Sequence, residues 1–214
     1  SRALLTGVFM HDARLGWAVG HDEVVLRTRD GGLTWERVHS APENEKPLLD
    51  VWFADARTGL AVGAYGRLLA TTDGGDTWAP GQLYGDDDFH LNQIAAAADG
   101  TLFVAAEAGH LYRSSDRGAT WQRLPSPYHG SFFGLLPLPD GTLLAFGLRG
   151  HLYRSPDGGR SWTAIPTGTD ATLTCALDLG AGRFVVGGMD GTLLWSEGAG
   201  AAVRKQDLPD RKAI

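Results

Sequence analysis

The 214-residue sequence holds one cysteine, Cys175, and two methionines. A single thiol excludes an internal disulfide and any zinc site built from several cysteines. No stretch reaches the roughly 18 consecutive apolar residues that a membrane helix needs, so no transmembrane segment is expected. Cations are the minority, 19 Lys and Arg against 25 Asp and Glu, for a net charge of −6. Broad binding to nucleic acid requires clustered cations that displace phosphate counterions, which sets nucleic acid aside as a partner. The start at Ser1 has neither the charged n-region nor the apolar h-region of a secretory signal. A first residue other than Met, followed almost at once by a repeat, is read as a chain that has lost something upstream: a signal peptide, further repeats, or both.

Glycine, by contrast, is abundant: thirty residues, alongside 43% hydrophobic and 21% charged. This composition describes an ordered globular protein dense in turns. The turns recur. Thr28-Arg-Asp-Gly-Gly-Leu-Thr-Trp35, Thr71-Thr-Asp-Gly-Gly-Asp-Thr-Trp78, Ser114-Ser-Asp-Arg-Gly-Ala-Thr-Trp121 and Ser155-Pro-Asp-Gly-Gly-Arg-Ser-Trp162 close on tryptophans 43, 43 and 41 residues apart. That is the period of one propeller blade. The preceding halves also align, from Val8 to Gly20, Val51 to Gly63, Ile94 to Ala106, Leu135 to Gly147 and Ala176 to Gly188. A fifth unit therefore exists, although its closing phrase, 196–203, lacks both the aspartate and the tryptophan. Each unit reads as four short strands between turn signals, in the second at about 49–54, 59–63, 67–72 and 76–80. The expectation is an all-β propeller of four-stranded antiparallel blades, one domain over 1–214, with blades at about 3–40, 47–83, 90–125, 132–166 and 172–208. Five repeats fit a closed five-bladed ring or part of a larger, possibly seven-bladed one. An incomplete ring would expose apolar blade faces and self-associate.

The repeated aspartate can accept hydrogen bonds from its own turn, the glycines allow positive φ, and the tryptophan offers an apolar face between blades. Asp30, Asp73, Asp116 and Asp157, with Trp35, Trp78, Trp121 and Trp162, are therefore read as structural. This phrase is the Asp-box of the bacterial neuraminidase repeat. With the longer consensus Val-x-Phe-x-Asp-x-x-x-Gly-x-Ala-Val-Gly that precedes it, the chain resembles the photosystem II stability and assembly factor family and its relatives in non-photosynthetic bacteria. The resemblance implies an exported, non-enzymatic propeller, usually of seven blades, and no metal or cofactor is expected. It further implies a scaffold or assembly factor for a membrane or envelope protein complex. Such a protein would be periplasmic, or lumenal in a thylakoid if the source is photosynthetic.

Function is sought where the repeats differ. The turn between strands two and three carries His21-Asp22-Glu23, Ala64-Tyr65-Gly66-Arg67, Glu107-Ala108-Gly109-His110, Leu148-Arg149-Gly150-His151 and Met189-Asp190-Gly191. The links between blades add Asp88 and His90, Tyr128 and His129, and Asp170. The first strands align Gly7, Asp50, Gln93, Gly134 and Cys175 in one small or polar column, read as facing a wet channel. The candidate binding face is thus Asp50, Tyr65, Arg67, Asp88, His90, Gln93, Glu107, His110, Tyr128, Arg149, His151 and Asp190. The run Asp86-Asp87-Asp88 lacks the alternating spacing of a calcium loop and reads as solvated surface. His90, His110, His129 and His151 lack a zinc-ligand spacing. Tyr65, Tyr128 and Phe132-Phe133 suit either an apolar ledge or packing between blades. Arg149 suits a bidentate clamp on a carboxylate, or an ion pair with Glu107 or Asp190. A glycosidase is the alternative of another class, because sialidases and some glucanases use Asp-box propellers. Its two facing carboxyl groups would have to be Asp50 with Glu107 or Asp190. A sialidase resemblance would also require an Arg-Ile-Pro phrase before the first box, whereas Arg123-Leu124-Pro125 follows the third.

Overall fold

The structure, a computed structural model, describes residues 3–85, 87–196 and 202–208. It is all-β, with five four-stranded antiparallel sheets whose strands pair in chain order. Blade one is β1 (Leu5–Met10), β2 (Gly16–Gly20), β3 (Val24–Thr28) and β4 (Glu36–His39). Blade two is β5 (Leu48–Phe53), β6 (Gly59–Gly63), β7 (Leu68–Thr71) and β8 (Ala79–Gly81). Blade three is β9 (Leu91–Ala96), β10 (Leu102–Ala106), β11 (Leu111–Ser114) and β12 (Gln122–Arg123). Blade four is β13 (Phe132–Pro137), β14 (Leu143–Gly147), β15 (Leu152–Ser155) and β16 (Thr163–Ala164). Blade five is β17 (Leu173–Gly180), β18 (Arg183–Gly188), β19 (Thr192–Ser196) and β20 (Val203–Asp207). Two compact units are formed, Ser1–Ile94 with Arg117–Thr120, and Ala95–Asp116 with Trp121–Ile214. Among the described residues no helix is long and apolar enough to cross a membrane.

Burial explains the strand sequences. The second strands of blades one to four, β2, β6, β10 and β14, are buried at every residue. Both faces of these strands are covered, so they read as continuous runs of small and apolar residues rather than as alternations. Fourth strands such as β8, β12 and β16 are exposed and stay short, and β8 and β12 carry Pro, Gln or Arg, which blunts a sheet edge. In the first strands of blades one, two, four and five the register slips by one residue, at Leu5/Gly7, Leu48/Asp50, Phe132/Gly134 and Leu173/Cys175. The extra residue of this bulge turns Leu5 and Val8, three positions apart, to the same side of the sheet. The polar column Gly7, Asp50, Gly134 and Cys175 lies at these bulges.

Within the first unit, the trailing face of blade one meets the leading face of blade two. Phe9, Trp17, Val19 and Val25 pack against Leu48, Val51, Phe53, Leu69 and Trp78. The rings of Trp17 and Phe53 stack at 3.4 Å and 7°. Each is at most 2% exposed, and burying such a side chain contributes about 2 kcal/mol. The second unit repeats this junction twice. Phe103, Ala105 and Leu111 of blade three seat Phe132, Leu135 and Tyr153 of blade four. Leu144, Phe146 and Leu152 of blade four seat Leu173, Phe184 and Leu194 of blade five.

The recurring Asp-Gly phrase links the third and fourth strands, and its carboxylate ties the link together. In the second box, Asp73 Oδ1 accepts from Thr71 Oγ1 at 2.8 Å and Thr77 N at 2.9 Å, while Oδ2 accepts from Thr77 Oγ1 at 2.6 Å. Thr71 Oγ1 accepts in turn from Gly75 N at 3.0 Å, and Trp78 Nε1 donates to Gly75 O at 3.1 Å. Asp30 and Asp157 repeat the pattern with Thr28 and Thr34, and with Ser155 and Ser161. In the third box Ser114 Oγ donates to Asp116 at 2.7 Å. The box holds the chain out of the sheet until its tryptophan. The fourth strand of blade two therefore starts at Ala79 rather than near 76. The fourth box differs in one bond: Trp162 Nε1 donates to Pro125 O at 3.0 Å, carrying the ring onto the preceding blade. The degenerate fifth phrase lies mostly outside the described residues.

Donors from within the box lower the pKa of Asp30, Asp73 and Asp157 to about 2. A carboxylate held below its unfolded value of 3.8 stabilises the fold above that pH and loses the contribution as pH falls toward 2. Asp73→Ala should lower the melting temperature by several degrees at pH 7, and the gap to the wild type should shrink as pH drops from about 4 to about 2. Thermal melts of the two proteins across that range provide the check.

Candidate functional site

The opposite end of every blade is a two-residue hairpin between the second and third strands. Both of its central residues have positive φ: Tyr65 and Gly66 at 54° and 66°, Ala108 and Gly109 at 52° and 78°, Arg149 and Gly150 at 55° and 69°, Asp190 and Gly191 at 56° and 67°. This is the type I′ turn, whose twist matches that of the flanking strands. Four of the five turns place glycine second, and the reason is crowding as well as φ. A Cβ on Gly66, Gly109 or Gly150 would lie 2.4, 1.9 or 1.9 Å from the carbonyl of Asp87, Tyr128 or Thr169. The glycine thus lets the link to the next blade lie directly on the turn. The first central residue then projects outward, and Tyr65 is 52% exposed.

Blade one departs from this rule, with Glu23 at φ 52° in the glycine column after Asp22 at 60°. The link cannot close on a side chain there, and it forms a separate turn at Pro42–Asn44 instead. Glu23 is fully buried and is held by a fork: Arg67 Nε donates to Oε2 at 2.8 Å and Arg67 Nη2 to Oε1 at 2.7 Å. Asn44 Nδ2 donates to Oε2 at 3.1 Å, and His39 Nε2 lies 3.2 Å from Oε1. Burial pushes the Glu23 pKa up, but these partners outweigh it and hold the carboxyl below its ordinary value. Arg67 therefore spends its guanidinium on a brace between blades one and two. Sequence reasoning did not single out Glu23; a glutamate in a column of left-handed glycines was the available signal.

Also in the first unit, the Tyr65 ring lies 4.8 Å from that of His90, and Phe89 O accepts from Gly66 N at 2.9 Å. Asp88 is exposed and Asp87 half-buried, while Asp86 of the acidic run lies outside the described residues. Asp50 is half-buried on β5; Oδ1 accepts from Val51 N and Oδ2 from Ile94 N, each at 2.9 Å. Loss of water around the carboxylate nonetheless raises its pKa to about 6. Gln93 is half-buried on β9.

In the second unit, Tyr128 of one link stacks on His151 of the next turn, with ring centroids at 4.0 Å and planes at 15°. Tyr153 continues the stack 6.3 Å from Tyr128, and buried Phe132 meets both rings edge-on. The Tyr128 ring folds back over Gly130, where a Cβ would lie 2.3 Å from it. His151 Nδ1 is 3.0 Å from Leu148 O, and a carbonyl can only accept, so Nδ1 carries the proton. Arg149 is exposed beside a cleft of about 190 Å³ that it shares with His151, Tyr153, Pro166, Thr167 and Thr169. It forms no ion pair with described residues. Asp190 is exposed and Glu107 half-buried. His110 is buried and contacts Arg123 on the outer strand, so it is withdrawn from the surface. Among the described residues no three His, Cys, Asp or Glu side chains come together as a metal site.

A family model described as photosynthesis system II assembly factor YCF48 matches residues 39–193. The structure titled YCF48 bound to D1 peptide is similar over 98% of this chain and 71% of its own, at 24% identity and a TM-score of 0.77. YCF48 from Cyanidioschyzon merolae is similar over 96% and 72%, at 19% identity and a TM-score of 0.71. A GH74 xyloglucanase from Xanthomonas campestris covers 94% of this chain but only 37% of itself, at 19% identity and a TM-score of 0.69. Structural likeness at these identities carries the fold. No curated protein matches the chain.

Removing one partner of the Glu23–Arg67 fork leaves a buried charge alone. Arg67→Ala should cost about 3 kcal/mol in urea unfolding. The double variant with Glu23→Gly, which restores the glycine of the other turns, should recover most of that loss. Asp50 binds its proton more tightly in the fold than at the unfolded value of 3.8, so stability should fall as pH rises from about 4 to about 6. Urea midpoints against pH should show this slope in the wild type, worth about 1–2 kcal/mol after allowance for partial exposure, and not in Asp50→Asn.

Proposed function

Since the chain belongs to the photosynthesis system II assembly factor YCF48 family, we propose that it is a non-enzymatic, exported scaffold that docks a segment of a membrane or envelope protein. The docking surface is the end of the blades that carries the type I′ turns. The observation that carries this reading is Arg149. It projects from its turn without an ionic partner among the described residues, next to the Tyr128–His151 stack and an open cleft. An exposed guanidinium beside an aromatic ledge suits a peptide that presents a carboxylate and an apolar side chain. A relative of the same fold has been solved with a peptide bound.

The remaining carboxylates support a binding rather than a catalytic role. Asp30, Asp73 and Asp157 are occupied within their own boxes, and both oxygens of Asp50 accept backbone N–H groups. Glycoside hydrolysis requires two carboxyl groups free to act on a substrate, and these four are engaged by hydrogen bonds of the fold.

Pull-downs from detergent-solubilised envelope membranes of the source organism, with the wild type, Arg149→Ala and Arg160→Ala, test the reading. Arg160 is exposed in the Asp-box at the other end of the same blade. Arg149→Ala should reduce partner recovery by about tenfold or more, as loss of a central arginine does, and Arg160→Ala should leave it unchanged. Equal recovery by all three proteins would remove this end of the blades as the docking surface.

A further inference from the structure

Arginine stands in the same column of the third strand in blades one, three and four, as Arg27, Arg113 and Arg154, and the three are not equally provided for. Each has a buried Nε without a partner among the described residues, which leaves pairing to the Nη groups. Arg27 Nη1 donates to Gly74 O at 3.0 Å and to Asp76 Oδ1 at 2.7 Å, both in the Asp-box of blade two. Its Nη2 donates to Glu36 Oε2 on the fourth strand at 3.3 Å. Arg154 Nη2 donates to Thr142 Oγ1 at 3.2 Å. The Arg113 guanidinium forms neither a hydrogen bond nor an ion pair with a described residue.

Two replacements account for the difference. Strand pairing sets Gln122 opposite Arg113, where Glu36 lies opposite Arg27. In the box of blade four, Arg160 stands at the position of Asp76. Both carboxylates that serve Arg27 are thus lost, one to a neutral amide and one to a second cation. Arg113 is half-buried and lines a cleft of about 90 Å³ between blades three and four, with Phe103, Leu138, Thr142 and Gly158, the counterpart of Gly74. Asp99 is the one carboxylate among the described lining residues. It is exposed, its Oδ1 accepts from Thr101 N at 2.9 Å, and it forms no ion pair with Arg113. Hydrogen bonds from Thr101, and after them the charge of Arg113, hold its carboxyl below the ordinary value. A half-buried cation without a counter-charge costs free energy, which an anion at its Nη groups would recover.

We propose that the cleft between blades three and four binds a small oxyanion, with Arg113 as its counter-charge. A guanidinium presents its N–H groups as a planar fork that matches two oxygens of a carboxylate, sulfate or phosphate. Water takes about 30 Å³ per molecule in the liquid, so the cleft admits a group of about three waters' volume and excludes a nucleotide or a sugar ring. The site lies at the Asp-box end of the blades, and its chemistry is independent of the docking surface at the other end.

NMR titration of the isotope-labelled 214-residue chain with sodium phosphate, and separately with sodium acetate, at constant ionic strength tests the proposal. The Nε–H of Arg113 and the amide of Gly158 should shift saturably, with a Kd on the order of a few mM for the better of the two anions. Tighter phosphate assigns the site to a tetrahedral oxyanion, and tighter acetate to a carboxylate. Arg113→Gln should weaken the response of Gly158 at least about tenfold. Arg160→Asp returns to box four the carboxylate that Asp76 gives Arg27, and by occupying Arg113 from within it should weaken binding by a similar factor. Arg160→Ala removes the same cation without adding an anion and should stay within about threefold of the wild type. These last two variants keep Arg113, so their comparison stands whatever glutamine does to the strand. Wild-type signals that ignore both salts, or drift without saturating, overturn the proposal. Equal responses from wild type and a folded Arg113→Gln, or from Arg160→Asp and Arg160→Ala, also overturn it.

Discussion

The cover required on both faces of each middle strand governs the molecule. A strand such as β14 has no polar side to turn toward water, and its sheet has an apolar neighbour on each face. The stack of Trp17 on Phe53 and the equivalent contacts of the second unit meet that demand. Side chains on the broad faces that meet in these junctions are thereby committed to packing. What remains for recognition is the two ends, where strands turn and links cross.

The two ends solve different local problems. At one, a carboxylate gathers hydroxyl and backbone donors of its own loop through both of its oxygens. At the other, glycine in a left-handed conformation admits the carbonyl of a passing link and holds turn and link together with no side chain in between. The residue before that glycine is free of structural duty, which is why tyrosine, alanine, arginine and aspartate all stand there. Chemical variety on a fixed frame is a property that a binding surface needs.

The repeat made the blades, their strand order and the role of the boxed aspartates legible in advance, because period and turn chemistry are local properties. Contacts between links and turns were not legible to the same degree. Tyr128 and His151 are 23 residues apart, and their stacking depends on how closely Gly109 lets the link that carries Tyr128 approach, which only the backbone reveals. His110 aligned with exposed polar residues of other turns, yet its ring turns inward to Arg123. Arg67 belonged to the right turn, but its charge was already taken by Glu23, a residue contributed by another blade.

That fork constrains the order in which its members could have been acquired. Arg67 is about one-fifth exposed, so without Glu23 its guanidinium reaches water and the fold tolerates it. Glu23 without Arg67 would be a buried anion on a strained backbone, with one amide and a histidine for company. A path through folded proteins alone therefore introduces Glu23 only into a chain that already carries Arg67. Once the glutamate is in place, the arginine cannot be given up before it.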